Sequence, residues 1–345
     1  MEDYLIDVEN YAVLDSLVKA KAVFGRHINV VVSISGGSDS DIVLDICEKV
    51  RKPEQKVRYV WFNTGIEYQA TKDHLDFLEK KYNITIERIP PVKPIPTCVR
   101  EYGVPFLSKY VSDQIQRLQN HDFKWEDEPY EVLSEKYPKC KSAIKWWCNV
   151  YSNNGFENSS FSIDRFKYLK EFLIQNPPTF RISNNCCKFS KKLPAKQCME
   201  ESQADLNVIG VRKAEGGIRA AAYKNCFTAS EDGADQYRPL FFMTDDDKKY
   251  YEDHFGVSHS DCYTKYGLKR TGCVGCPYGR DVLHELFSIQ MYEPKLYKAC
   301  MKIFGDSYEY TKKYRQFCAK KKYDAKQDTD QMTMDDLFYD FSFTN

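Results

Sequence analysis

The chain has 345 residues, with 50 Lys and Arg against 50 Asp and Glu, and 42% of its residues are hydrophobic. That length can bury a full core in one large domain, or in a core domain with a second layer, without covalent staples. A formal net charge of zero excludes a protein that coats nucleic acid or anionic membrane by bulk charge, and leaves room for a local basic groove.

Val8, Tyr11, Leu14, Leu17, Val18 and Ala22 recur at helical spacing, which predicts an N-terminal helix stopped at Gly25. Ile28 to Ile34 is a β-branched apolar run of the kind found in a buried parallel strand. Ser35-Gly36-Gly37-Ser38-Asp39-Ser40 is a turn that opens a second helix, with Val43, Ile46, Cys47 and Val50 on one face and Pro53 beyond its end. A strand at Val57 to Phe62, a helix at Tyr68 to Tyr82 and a strand at Ile84 to Ile89 follow, closed by the proline-rich segment Pro90 to Pro96. This alternation predicts an α/β fold with a doubly wound parallel sheet, whose ligands sit outside the carboxyl ends of the strands. The turn 35–40 and Asn63-Thr64-Gly65-Ile66-Glu67 both fall at that edge.

From Val111 to Pro178 the pattern loosens into polar, aromatic-rich helical segments, with an Asn/Ser-rich loop at Tyr151 to Ser160. Strand character returns at Asp205 to Val211, and the recognisable compact part ends near Lys322. The expected plan is an N-terminal helix (1–27), a nucleotide-binding core (28–110 and 180–280), a helical insert (111–179), C-terminal helices (281–322) and an acidic, aromatic tail (323–345). The tail reads as a helix packed on the core or as a docking segment for a partner.

Thirteen cysteines leave at least one unpaired. The acidic N-terminus lacks the basic and apolar regions of a secretory signal, and no apolar run approaches the roughly 18 to 20 residues of a membrane span. The expected compartment is the reducing cytoplasm, where tightly paired cysteines serve as metal ligands or redox groups more often than as disulfides.

In the turn 35–40, Gly36 and Gly37 can take positive φ and let backbone N–H groups approach a ligand, while Ser35, Ser38 and Ser40 add hydroxyl donors at a helix N-terminus. This is a phosphate cradle without the lysine of a Walker A loop. The simpler reading is a capped turn in which Ser38 only starts a helix. The string resembles the Ser-Gly-Gly-x-Asp-Ser loop of the N-type ATP pyrophosphatases (PP-loop proteins). The resemblance implies binding of ATP or another adenylyl nucleotide with magnesium, with Thr64 and Gly65 joining the cradle and Asp39 taking part in the chemistry.

Asn185-Cys186-Cys187-Lys188 and, much later, Gly272-Cys273-Val274-Gly275-Cys276-Pro277 supply two pairs of thiols, with Lys191 and Arg270 close enough in sequence to favour thiolates. Adjacent cysteines suit a cluster whose irons each take one thiolate better than a single tetrahedral zinc. A [4Fe-4S] cluster on Cys186, Cys187, Cys273 and Cys276 is therefore the leading expectation, zinc the second, and two unrelated pairs of buried thiols the plain alternative. The pattern Cys-Cys-x-x-x-Lys-x-x-Pro followed by Gly-Cys-x-x-Cys resembles the cluster motifs of adenylylsulfate reductases in the phosphoadenosine phosphosulfate reductase superfamily. In that resemblance Lys191 is the lysine near the cluster, and the family's preceding arginine is Ser190 here. Ile209 to Arg219 is similar to the Gly-x-Arg-x-x-Glu-Ser-x-x-Arg stretch, with Gly216 for the serine. Asn63-Thr64-Gly65 is similar to Asp-Thr-Gly with Asn63 for the aspartate, and Arg238-Pro239-Leu240, Asp245 to Asp247 and Tyr263 to Pro277 follow in order. The superfamily's reductases also carry a C-terminal Glu-Cys-Gly-x-His nucleophile segment, which is missing here. Cys300 and Cys318 stand in no comparable context.

These readings imply an enzyme that adenylates a substrate with release of pyrophosphate and then transfers sulfur, or a sulfonucleotide reductase drawing its thiol from elsewhere. A nucleotide and redox sensor without turnover is the non-enzymatic alternative. Arg212 and Arg219 would grip the phosphates or phosphosulfate, or simply pair with Glu215. Cys262 is a candidate sulfur-relay thiol. His254 and His259 read as solvated loop histidines. A sulfur- or electron-donor protein is an implied partner. Nucleic acid is a further one, through Lys141, Lys145, Trp146 and Trp147 or the run Lys320 to Lys322, and self-association is also compatible.

Overall fold

The computed structural model describes residues 3–150, 161–216, 222–279 and 281–327. Helix α1 (Tyr11–Phe24) starts where the Asn10 side chain accepts the Val13 N–H at 3.0 Å. That cap sets the phase of the helix, so its buried stripe is Val13, Leu17, Ala20 and Phe24. Tyr11 and Val18, expected on the buried face, are 82% and 50% exposed. Val8 lies before the cap, so the face counted from it is rotated away from the core.

Strands β1 (Asn29–Ser33), β2 (Lys56–Phe62), β3 (Ile86–Ile89), β4 (Leu206–Val208), β5 (Phe227–Thr228) and β6 (Asp235–Tyr237) form one sheet in the order β3-β2-β1-β4-β6-β5. Every pairing is parallel except β5 with β6. Val30, Val31 and Val32 are all buried because both faces of β1 are covered. Val30 and Val32 join Leu17, Phe24, Ile42 and Ile46 in one cluster, while Val31 and Val60 meet Cys198 in another. The sheet is thus the expected parallel-dominated α/β arrangement. Chain order reverses at β1, between β2 and β4, and the turn 35–40 leaves β1 at this switch point.

Helix α2 (Ser38–Val50) follows that turn, and α3 (Gln69–Tyr82) follows β2. The proline-rich segment does not stay extended: Ile95–Tyr102 is helical, with Pro96 in the first turn, where its missing N–H costs nothing. Asp245–Phe255 is a further helix, so His254 is helical rather than in a loop.

The chain divides into two compact units, Met1–Cys98 with Asn185–Lys302 and Val99–Asn184 with Ile303–Asn345. The first holds the sheet. The second is helical around an aromatic core in which Phe106 and Phe172 meet Tyr310 at ring-centroid distances of 4.8 and 5.0 Å. Phe123 packs on Trp147 at 5.3 Å in the same core. The helix Pro294–Gln327 runs past Lys322, the expected end of the compact part. The loop 151–160 and the tail beyond residue 327 lie outside the described residues. Among the described residues, no helix is long and apolar enough to cross a membrane.

Candidate nucleotide and thiol site

Gly36 has φ +70°, and a Cβ there would stand 2.7 Å from Thr71 Cγ2, so both conformation and space demand glycine. Ser40 ties the turn together: its hydroxyl donates to the Gly37 carbonyl at 2.7 Å and accepts the Gly37 N–H at 3.1 Å. Ser35 Oγ accepts from the same N–H at 3.2 Å. The remaining N–H groups of the first α2 turn are those a helix leaves without partners of its own. Across the turn, Gly210 after β4 lies 3.5 Å, measured from its ideal Cβ, from the Asp39 and Ser40 backbone.

Two cations converge on Asp39. Arg212 Nε lies 3.1 Å and Lys248 Nζ 2.8 Å from its Oδ1. Arg212 also reaches Asp245 at 2.7 Å, and Lys248 Nζ donates to Ser38 Oγ at 2.5 Å. Burial alone would raise the Asp39 carboxyl, but a hydrogen bond with Glu215 and the Lys248 and Arg212 charges outweigh it and hold it low. Arg212 therefore pairs with Asp39 and Asp245, and Glu215 engages Asp39 instead. Lys248 was not singled out in the sequence.

Directly below, Asp41 is fully buried, with His259 Nδ1 at 2.8 Å and His74 Nε2 at 3.0 Å from its Oδ2. His259 Nε2 lies 2.8 Å from Glu252 Oε1, and Glu252 is 3.8 Å from Lys248. Burial lowers the His259 pKa, but the bonds to Asp41 and Glu252 more than reverse this and push it up to about 9. His259 is thus an imidazolium bridge at neutral pH, not a solvated loop residue.

The four proposed ligand thiols interact with one another. Cys186 and Cys187 share a hydrogen bond at the start of a helical turn, Asn185–Cys187, and the chain then widens into a π-helical turn over Lys188–Lys192. Ser190 is buried and donates to the Cys186 carbonyl at 2.7 Å. Cys273 and Cys276 lie within electrostatic reach of Cys186 and Cys187, and Gly275 turns the knuckle with φ 61°. The hydrogen bond to Cys187 and then burial drive the Cys186 thiol far up, and burial with the neighbouring Cys273 pushes Cys276 up to about 12. The Lys191 ammonium bonds Cys273, whose thiol also bonds Thr64. Four interacting thiols, two of them within reach of Lys191, form a donor set from which a bound cation would displace protons. Among the described residues, no three Cys, His, Asp or Glu side chains gather as they would round a single ion.

The two features adjoin. A Cβ at Gly37 would stand 3.0 Å from Thr271 Oγ1 and 3.1 Å from Tyr263 OH, and these hydroxyls bond each other at 3.1 Å. Thr271 is two residues before Cys273. Thr64 is fully buried and donates to Glu67 at 2.6 Å, while Gly65 takes φ 84° against Pro94. The end of β2, the turn 35–40 and the Cys-x-x-Cys knuckle therefore line one edge.

Other expected residues stand elsewhere. Cys262 is fully buried with its sulfur 3.6 Å from Thr71 Oγ1, and burial pushes the thiol up, so it sits as a core thiol rather than at the edge. Arg219 lies outside the described residues. Arg238 is fully buried, donating to Thr228 at 2.6 Å beneath the Tyr223 ring. Trp146 and Trp147 are core residues of the second unit, unavailable for stacking on bases. Lys320 and Lys322 are exposed, and Lys321 pairs with Glu171. A recess of about 440 Å³ lies in the second unit, lined by residues such as Asp127 and Lys170, and includes none of the site residues.

Residues 29–106 match the family model of the phosphoadenosine phosphosulfate reductase domain. No curated protein matches the chain. Among solved structures, the phosphoadenylyl-sulfate reductase of Candida auris is 16% identical, covering 77% of this chain and 89% of its own, with a TM-score of 0.40. The tRNA thiolase NcsA of Methanococcus maripaludis, solved with its [4Fe-4S] cluster, is 14% identical, covering 89% and 79%, with a TM-score of 0.38. The NH3-dependent NAD synthetase of Campylobacter jejuni is 11% identical, covering 87% and 94%, with a TM-score of 0.37.

Proposed function

We propose, for a chain that belongs to the phosphoadenosine phosphosulfate reductase superfamily through residues 29–106, that the turn 35–40 binds ATP for an adenylation coupled to sulfur transfer. The observation that carries this reading is the adjacency of the turn and the knuckle through Gly37, Thr271 and Tyr263. An acceptor oxygen attacks the α-phosphorus, the bond to the bridging oxygen breaks, and pyrophosphate leaves with the electron pair. A sulfide then attacks the acceptor atom that carries the adenylylated oxygen, the bond to that oxygen breaks, and AMP leaves with the electron pair.

The N–H groups of the first α2 turn and the Ser35, Ser38 and Ser40 hydroxyls hold the phosphates. Asp39 would offer a carboxylate to magnesium, with Arg212 and Lys248 balancing its charge. Cys186, Cys187, Cys273 and Cys276 would hold an iron–sulfur cluster, which when bound supplies a site for sulfur or an electron. Lys191 sets the charge beside Cys273, and Thr64 orients that thiol.

The test is anaerobic purification with iron and zinc counts, followed by parallel incubations with labelled ATP and with adenylylsulfate. Iron with acceptor-dependent pyrophosphate release is the expected result. Sulfite from adenylylsulfate would favour a reductase, binding without turnover a sensor, and a zinc-only chain would overturn the cluster.

A further inference from the structure

The phosphate turn carries no lysine of its own: position 38 is a serine. Its hydroxyl nevertheless has an ammonium on it, because Lys248 Nζ reaches 2.5 Å from Ser38 Oγ across 210 positions of sequence. The side chain is 15% exposed, so the charge is sheltered without being sealed from a ligand.

Its helix is held firmly against α2. Thr244 and Asp247 cap each other at the helix start, and Asn10 donates to Asp247 at 2.8 Å. One turn beyond Lys248, Tyr251 OH donates to Asp45 at 2.7 Å. Glu252 stands against His259, which stands against Asp41 of α2. Lys248 is thus delivered over Ser38 from a fixed platform and differs in this from an exposed lysine on a solvated helix face.

The neighbouring cation is differently placed. Arg212 has one guanidinium nitrogen on Asp39 and another on Asp245, so its fork is shared between two carboxylates. Lys248 has Asp39 at 2.8 Å and Glu252 at a looser 3.8 Å, and its shortest contact, at 2.5 Å, is to the neutral Ser38 hydroxyl. A phosphate oxygen replacing that hydroxyl exchanges an ammonium–dipole contact for one between opposite charges.

Resting on the nucleotide reading above, we infer that Lys248 is the phosphate-binding cation of this site, supplied by the helix Asp245–Phe255 in place of a lysine in the turn. It contacts the nucleotide's phosphates, so it separates triphosphate from nucleoside, which a lysine that only neutralised Asp39 would not do.

The test is equilibrium binding of a non-hydrolysable ATP analogue and of adenosine to the full chain. Wild type, Lys248→Ala and the double variant Lys248→Ala with Ser38→Lys are compared, with thermal melts for each. Lys248→Ala should weaken the analogue by about tenfold to a hundredfold and leave adenosine within about twofold. Ser38→Lys in that background should recover most of the loss, since position 38 opens onto the space that the Lys248 ammonium occupies. Equal loss for both ligands, unchanged analogue binding in folded Lys248→Ala, or no recovery in a folded double variant would overturn the inference. A folded wild type that prefers adenosine or binds neither ligand would overturn the nucleotide reading itself.

Discussion

The two units bury different things. In the first, the sheet edge holds Asp41, His74 and Arg212 out of solvent together with a group of interacting thiols. In the second, the core is Phe106, Trp146, Trp147, Phe172 and their aromatic neighbours, and among the described residues its buried polar groups are neutral, such as Ser112 and Gln114. Buried charge is expensive unless paired, so a fold concentrates it where chemistry needs it, whereas aromatic packing serves stability alone. The difference is one reason to place the proposed chemistry in the first unit.

The comparison breaks most visibly at the thiols. Cys273→Ser should abolish most iron binding and lower sulfur-transfer turnover by about a hundredfold or more, because one ligand of the set is lost. Cys148→Ser, at a half-buried thiol of the second unit, should leave both unchanged. Iron analysis and single-turnover assays of the two variants read this directly; equal iron loss in both would erase the distinction.

Trp147→Ala should remove a fully buried ring and its 2.8 Å bond to the Glu126 carbonyl. The expected cost is about 3–5 kcal/mol of stability, measured by urea unfolding, with the iron content of the folded fraction preserved. Gly36→Ala should cost less stability, about 1–2 kcal/mol from the strained φ, yet weaken ATP-analogue binding by about tenfold in calorimetry. Retained affinity would mean that the turn is not the cradle.

The smallest effect is a pH dependence. With the His259 pKa raised to about 9 in the folded chain, its stabilisation is fully present below the ordinary histidine pKa of about 6.5 and fades as pH rises through 9. Asp41 and Glu252 face the ring, with His74 on the same Asp41 oxygen and Lys248 beyond Glu252. Melting temperature should therefore fall between about pH 7 and 10 by the equivalent of about 1–2 kcal/mol, and His259→Asn should flatten that slope.

Local signals were enough for β1 to β3 and for the turn 35–40, since a β-branched run followed by Gly-Gly and a capped helix is decided within a few residues. The strands β5 and β6 were not visible because Phe227–Thr228 and Asp235–Tyr237 are too short for any periodicity. Lys248 follows the run Asp245 to Asp247, and nothing local marks it as part of the site until Thr244 is seen to cap that run as a helix start. His259 looked solitary because Asp41, its partner, lies far away in the chain. The spacing Thr244-x-x-Asp247, a capping pair before a Lys and a Glu four apart, is the signal that could have revealed this helix. Long-range pairing of charge is what a sequence conceals best, and here it makes the site.

The central claim is that the phosphate turn and the knuckle thiols serve one cleft. It is tested most directly by the alkylation rates of individual cysteines in the metal-free full chain, with and without a non-hydrolysable ATP analogue, read by peptide mass spectrometry. Bound analogue should slow modification of Cys273 and Cys276 by about fivefold or more while leaving Cys148 unchanged, since only the knuckle adjoins Gly37 through Thr271. Saturating analogue that leaves Cys273 and Cys276 reacting at their original rates would contradict the claim.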